Sequence, residues 1–417
     1  MLNELTKVTN YHLVFIDQII VSLSNFLITI LILRILGVQS FGYFSFLWIF
    51  LLLINSLQLS YIISPMLSNG PKINNNEIEL FYGSVFFQQL IFTLFLFLLT
   101  YFILKYFGNS LTNYELKKFY ISFSLTIVTT QIYQFFRRLL FSKQFFIKAI
   151  ISDLVVYFGI IIFIIILSKK KYLDLNILIW CFAIMFLFGI LLNLNLVKSL
   201  KFSFKKVQDF YKKNWIISKW LLLTSITQWF SGNLWIINAG IILGPYIFGV
   251  IRACQTILNM VNVFFQSFEN IIPSKTSTKY STEGILAMKN YLKLFTYKGL
   301  IAVIIILLIL FFFSEHILKI IYGSEMSDYS NILIILSLVI LINFFHFAPI
   351  YGLRTLEKTR PIFISYLISS IFAILLSDYI ISIFGMKGFI TGLYFSQIII
   401  LIFLFYSYQN ILKKFIK

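Results

Sequence analysis

Of 417 residues, 60% are hydrophobic and 12% are charged, about half the charged share of an ordinary soluble domain. Mean hydropathy is +0.92, and the apolar residues fall in blocks of the ~20 that a bilayer crossing needs, which leaves no length for a soluble catalytic domain. The net charge of +19 is spread over short segments between those blocks. It therefore reports topology and contact with anionic lipid, and excludes nucleic acid as a partner.

In chain order, the apolar blocks predict helices at about 10–35, 42–66, 82–104, 116–136, 149–167, 175–197, 215–241, 250–272, 294–313, 329–350, 362–383 and 389–410, twelve in all. The first block carries Asp17 and runs past Leu33, too long for a signal-peptide core, so it reads as a retained helix. Unbroken apolar runs at 154–167 and 300–313 exclude a barrel, whose strands would alternate. Only helices satisfy the backbone in such runs. The expected class is an all-α integral membrane protein. Cys181 and Cys254 lie in apolar runs as small hydrophobes and imply neither a disulfide nor a metal site.

Basic residues orient the helices, because Lys and Arg resist translocation. With both termini cytoplasmic, 24 of the 34 Lys and Arg fall on that side, and the other side keeps ten, from Arg34 to Lys387. The longest inter-helix segment is basic and central. It divides the chain into an N-terminal lobe at 1–200, a cytoplasmic linker at 201–214 and a C-terminal lobe at 215–417.

A duplication organises the two lobes. Ile35-Leu36-Gly37 with Phe41-Gly42 is answered by Ile242-Leu243-Gly244 with Phe248-Gly249, 207 positions on (244 − 37). Pro65 and Pro273, near which the second and eighth helices are expected to stop, stand 208 apart. Gly108 with Tyr114 answers Gly323 with Tyr329, and Lys143 answers Lys358, each at 215. Common interfacial turns are the competing explanation. Six helices per lobe is an even number, so the lobes enter the membrane in the same direction. Transporters with parallel repeats hold substrate between the halves, in a central cavity.

The eighth helix carries Arg252, Gln255, Asn259, Asn262, Gln266 and Glu269 at spacings of 3, 4, 3, 4 and 3, one continuous face. Such a stripe cannot face lipid, since unpaired amides in hydrocarbon cost several kcal/mol. It is either interhelical glue or the wall of a hydrated cavity, with Arg252 near the periplasmic mouth and Glu269 near the cytoplasmic one; the cavity is favoured. A weaker stripe on the seventh helix, Thr224, Gln228, Ser231, Trp235 and Asn238, is expected to line the same space. Asp17 is read either as an ion or proton site or as the partner of a base such as Lys219. Arg137, on a face with Thr130 and Gln134, is either a functional cation or, with Arg138, an interfacial anchor. Asp153, Asn343 and His346 are lesser candidates.

No Gly-Lys dipeptide is present, so no P-loop can bind ATP, and no HExxH occurs. No soluble segment is long enough to hold an active site, which argues against an enzyme, including a membrane-embedded glycan polymerase or ligase. Cofactors are not expected. Transport would draw on the substrate's own gradient or on an H+ or Na+ gradient.

Arg34-Ile35-Leu36-Gly37 with Phe41-Gly42-Tyr43, its echo from Leu243-Gly244-Pro245 to Gly249, and Ile321-Tyr322-Gly323 to Tyr329 before a helix resemble the polysaccharide flippases. These belong to the multidrug, oligosaccharidyl-lipid and polysaccharide exporter (MOP) superfamily, and the O-antigen flippases are the branch most similar. The resemblance implies a MATE-like fold of two six-helix lobes around a central cavity, moving by alternating access in a bacterial inner membrane. It implies a substrate made of an O-antigen or capsule repeat unit on undecaprenyl diphosphate, with the lipid bilayer and other glycan-assembly membrane proteins as partners. Gln228, Asn238, Gln255, Asn259, Asn262 and Gln266 would then bond sugar hydroxyls. Arg252, Arg34 and, at the cytoplasmic entrance, Lys219 or Arg137 would attract diphosphate. Peptidoglycan-precursor flippases are similar but usually have fourteen helices and basic residues deep in the first one, and this sequence has neither. The alternative is an ion-coupled multidrug exporter of the same superfamily, which requires a buried carboxylate; the sequence offers Asp17 and Glu269.

Overall fold

In the computed structural model the backbone is described for all residues except 1, 71–72, 75, 110–114, 199 and 417, and side chains are described except at those positions and at 2–11, 205, 213, 216–217, 262–271, 274 and 416. Continuous helix runs over Leu2–Gln58, Phe204–Tyr322 and Arg360–Ile416. At 1.5 Å per residue the first of these would measure about 85 Å, nearly three times the hydrocarbon thickness. The backbone leaves helical geometry within these runs at single glycines: Gly37 (φ 79, ψ 168), Gly244 (φ 87, ψ 172), Gly284 (φ 81, ψ −174) and Gly385 (φ 57, ψ −131). The first three conformations are open to glycine almost alone.

Divided at these bends, the described residues form twelve long helices: α1 (2–36), α2 (38–69), α3 (78–107), α4 (Tyr120–Ser142), α5 (Phe146–Lys169), α6 (Leu175–Leu192), α7 (204–243), α8 (245–283), α9 (285–322), α10 (Ser330–Thr355), α11 (360–384) and α12 (386–416). Eight undivided stretches, from His12–Asn69 to Arg360–Phe415, are long and apolar enough to cross a membrane. The chain is a multi-pass membrane protein. Two helices outrun their expected ends. α2 passes Pro65, which sits in the first turn of the segment Ser64–Asn69, where the missing N–H is tolerated. α8 contains Pro273 inside the helix and continues to Gly284.

Two compact units are present, Met1–Ser225 and Ile226–Lys417. Much of the expected 201–214 linker is helical instead, because α7 begins at Phe204. The physical reason is packing within the first unit. Phe210 meets Phe81 edge-on at 5.2 Å, Asn69 donates to the Asn214 side chain at 2.7 Å, and the Ser218 hydroxyl donates to the Tyr61 carbonyl at 2.9 Å. In this unit α4 packs on α3 and α6, and α5 packs on α6 and on the helix that contains α1 and α2. Phe81, Tyr133, Phe135, Phe136 and Phe182 form its buried centre. The second unit has α10 packed on the helix that contains α11 and α12. There the Trp235 ring lies so close to Gly392 that a Cβ would fall 1.9 Å from it.

Backbone geometry supports the duplication within each unit. Gly37 and Gly244 match in both dihedrals. At the end of α4, Gln144 (φ 61) follows a turn in which the Phe145 N–H bonds the Leu140 carbonyl at 2.8 Å. At the end of α10, Glu357 (φ 56) follows the same turn, with the Lys358 N–H on the Leu353 carbonyl at 2.8 Å. Lys143 thus corresponds to Leu356, and the offset there is 213 rather than the expected 215 (357 − 144). Gly108 (φ −60) and Gly323 (φ 105) differ in conformation, so that pair does not hold, and Tyr114 lies outside the described residues.

Candidate functional site

The first unit buries an ion cluster between α1, α4 and α5. Arg137 Nη2 pairs with Asp17 Oδ2, and Arg137 Nε pairs with Asp153 Oδ2 at 2.6 Å. The Tyr133 hydroxyl donates to Asp153 Oδ1, and the guanidinium also lies 5.2 Å from the centroid of the Phe141 ring. Asp17 is 1% exposed and Asp153 0%. Two carboxylates share one guanidinium, a formal charge of −1 over the three groups, and Arg138, next along α4, interacts electrostatically with both carboxylates. Asp17 Oδ1 has no hydrogen-bond partner among the described residues.

This geometry corrects three expectations. Asp17 does pair with a base, as one of the two readings had it, but the base is Arg137 rather than Lys219, which is exposed with its ammonium 5.7 Å from the Trp220 ring centroid. Arg137 is not an interfacial anchor, because α5 brings Asp153 against it and draws it into the interior. Asp153, a lesser candidate from sequence, joins Asp17 as a buried carboxylate, so Asp17 and Glu269 are not the only choices.

A second polar cluster joins α2, α3 and α4. Gln58 Nε2 donates to Gln89 Oε1 at 2.9 Å and to the Gln131 carbonyl at 2.6 Å, and Gln131 Nε2 donates to Asn55 Oδ1 at 2.5 Å. Sequence reading missed these amides, although Gln58, Gln89 and Gln131 stand inside apolar spans and the polar-in-span criterion applied to α8 would have found them. Gln131 Oε1, Thr130 Oγ1 and Gln88 Nε2 remain buried without a partner among the described residues.

In the second unit, Arg252 stands two turns into α8. Its Nη1 donates to Gln255 Oε1 at 2.9 Å, while its buried Nε has no acceptor and no carboxylate pairs with it among the described residues. Val250, Ile251, Ala253, Cys254 and Ile257 around it are buried. The lower stripe of α7 is taken up by packing: Ser231 donates to Ser369 at 2.9 Å, Trp235 Nε1 to Ser396 at 2.7 Å, and Asn238 Nδ2 to Ser377 at 2.6 Å. Asn238 is therefore a helix-to-helix donor here. His346 Nε2 lies 3.1 Å from the Gln397 carbonyl, also a packing contact.

Against solved structures, the chain is similar to the lipid II flippase MurJ in an inward closed conformation, with a TM-score of 0.72 at 18% identity over 96% of this chain and 87% of that one. It is equally similar to an inward-facing multidrug resistance MATE family transporter of the MOP superfamily, with a TM-score of 0.72 at 12% identity over 94% and 96% of the two chains. This is the MOP-superfamily fold. The MatE family model matches residues 221–377. A capsular polysaccharide biosynthesis protein, CapF of Staphylococcus aureus, is 24% identical over 263 residues, which span 61% of this chain and 64% of that relative. Both structural relatives are transporters, not enzymes.

Within the MOP fold, the other residues singled out from sequence fall in different places. Arg34, Gln228 and Asn259 are exposed, and Gln255 is half-buried. The side chains of Asn262, Gln266 and Glu269 lie outside the described residues. The fold brings Arg137 together with Asp17 and Asp153 in the first unit, and Arg252 bonds Gln255 one turn along α8 in the second.

Proposed function

We propose that this chain moves a lipid-linked oligosaccharide, an O-antigen or capsule repeat unit on undecaprenyl diphosphate, from the cytoplasmic to the periplasmic leaflet of a bacterial inner membrane. The two units would do so by alternating access around a central cavity, with both termini cytoplasmic. The observation that carries this reading is Arg252, a guanidinium in the interior of a membrane-spanning helix that no described carboxylate neutralises. Such a charge costs about 2.5–3.5 kcal/mol at the bilayer centre and less toward the interface. An anionic substrate offsets that cost, whereas a cationic drug would be repelled. Diphosphate is well matched to a guanidinium, which offers a planar fork of donors. The amides on α8 (Gln255, Asn259, Asn262 and Gln266) supply both donors and acceptors for sugar hydroxyls. The polyprenyl tail stays in lipid.

The surplus negative charge at Asp17, Asp153 and Arg137 complements this in the other unit. A proton or sodium ion there would bring the cluster to neutrality, which makes Asp17, with its unpaired Oδ1, the candidate coupling group. The relatives agree with a polysaccharide reading in part: CapF is named for capsular polysaccharide biosynthesis and MurJ for flipping lipid II. The expected result is that Arg252→Ala and Asn262→Leu abolish surface glycan while membrane levels of the protein stay unchanged, with Arg252→Lys retaining part of the export. Normal glycan in Arg252→Ala cells would overturn the reading. The surplus carboxylate also suits a cation, so the second reading is ion-coupled multidrug export. Deletion that raises drug sensitivity and leaves surface glycan intact would establish it in place of the first.

A further inference from the structure

We infer that the segment joining α6 to α7 is a membrane-inserted strap that docks on the anionic phospholipid headgroups of the leaflet on the side of the two termini. This goes beyond the transport reading and does not rest on it. The segment does not hang free. The Lys201 N–H bonds the Glu79 carbonyl at 3.3 Å, Lys201 Nζ pairs with Glu79 at 2.8 Å, and Lys206 Nζ pairs with Glu77 at 2.6 Å. The Lys201 carbonyl comes so near Gly83 that a Cβ there would sit 1.9 Å from it. Glycine at 83 is thus what lets the strap lie directly on the α3 backbone.

Held this way, the strap presents its aromatic side chains along α3. Phe202 and Phe204 pack on each other at 5.5 Å between centroids and on Phe87 at 4.9 and 5.7 Å, yet they remain 50% and 68% exposed. Phe87 is nine residues into α3 from Ile78, about 13 Å at 1.5 Å per residue. The rings therefore lie along α3 well inside its N-terminal end, on the side where an interfacial segment seats its apolar face below the headgroups. Leu191, Leu192 and Leu194, just before the strap, are exposed in the same manner.

Charge selects the occupant. Lys198 and Lys212 flank the rings in sequence and are exposed, while Lys201 and Lys206 are held by Glu79 and Glu77. Basic side chains beside inserted phenylalanines match anionic headgroups, to which each lysine near the surface adds about a fivefold preference. A soluble acidic partner would leave the phenylalanines in water.

The test places Cys at 204 in a Cys181→Ala, Cys254→Ala background, labels it with an environment-sensitive fluorophore, and reconstitutes the full chain in vesicles of phosphatidylcholine with and without phosphatidylglycerol. Quenching by a nitroxide high on the acyl chain should exceed quenching by aqueous iodide, and should rise when phosphatidylglycerol is present. Lys198→Gln with Lys212→Gln, which leaves both glutamate pairs intact, should lower the phosphatidylglycerol dependence several-fold. Stronger quenching by iodide than by nitroxide overturns insertion. Equal nitroxide quenching in both vesicle types, or no change in the double lysine variant, overturns docking on anionic headgroups.

Discussion

Asp153→Asn should destabilise the first unit more than Asp17→Asn, although both remove one carboxylate from the same arginine. Asp153 accepts two hydrogen bonds, from Tyr133 and from Arg137 Nε. An amide there turns an NH2 toward one of those donors, while Arg137 keeps its pair with Asp17 and the change removes one carboxylate charge, as Asp17→Asn does. Leaving a buried donor without its acceptor costs about 1–3 kcal/mol. Asp17 accepts one bond, from Arg137 Nη2, and its Oδ1 accepts none among the described residues. Asparagine at 17 can keep its carbonyl on Arg137, and its neutrality removes the surplus charge, so the expected loss is about 1 kcal/mol or less. A unit of this length loses about 2–4 °C in Tm per kcal/mol. That gives about 2–12 °C for Asp153→Asn and under about 4 °C for Asp17→Asn. Cys181 is buried in the first unit and Cys254 in the second, so a thiol-reactive dye on a Cys254→Ala background reads the unfolding of the first unit alone. Equal losses, or a larger loss at Asp17, would refute the assignment of two donors to Asp153 and one to Asp17.

Gly37→Ala and Gly244→Ala force a Cβ into a glycine-only conformation and should each cost about 1–3 kcal/mol, seen as matched drops in Tm; unequal drops would count against equivalence of the two bends. Gly392→Leu drives a side chain into the Trp235 ring, so a fall of about 1–3 kcal/mol is expected with quenched or shifted tryptophan emission. Trp235→Phe removes the bond to Ser396 and part of a fully buried ring, and should cost about 1–3 kcal/mol, measurable as a drop in Tm. Gln58→Leu breaks two bonds and should cost about 1–2 kcal/mol in the same assay; an unchanged Tm would mean that the amide cluster does not hold α2 to α3 and α4.

The number and order of the helices were legible because length and hydropathy alone decide where a backbone can survive in lipid. Their ends were less legible. Residues 204–214 are charged enough to read as linker, and only contacts such as Phe210 on Phe81 make them helical. The glycines at 37 and 244 stood out in sequence, since few other residues could take their dihedrals. Lys143 and Lys358 look equivalent by letter, but the turns around them align by backbone at 144 and 357. Asp17 and Arg137 were each visible as polar residues in a span. Their pairing was not, because one lies on α1 and the other on α4, 120 positions away. The stripe on α7 has a face pattern, but a face pattern does not say whether water or another helix lies opposite, and Ser369, Ser377 and Ser396 supply the helix.

The glycine bends limit how this chain can be engineered. Where α1 meets α2, α7 meets α8, α8 meets α9 and α11 meets α12, one residue is the whole junction, so an epitope inserted there would have to unwind two membrane helices at once. Protease should leave these four corners alone and cut first in the short non-helical stretches, such as the one around residues 170–174. Accessible tags for topology mapping therefore belong in those stretches.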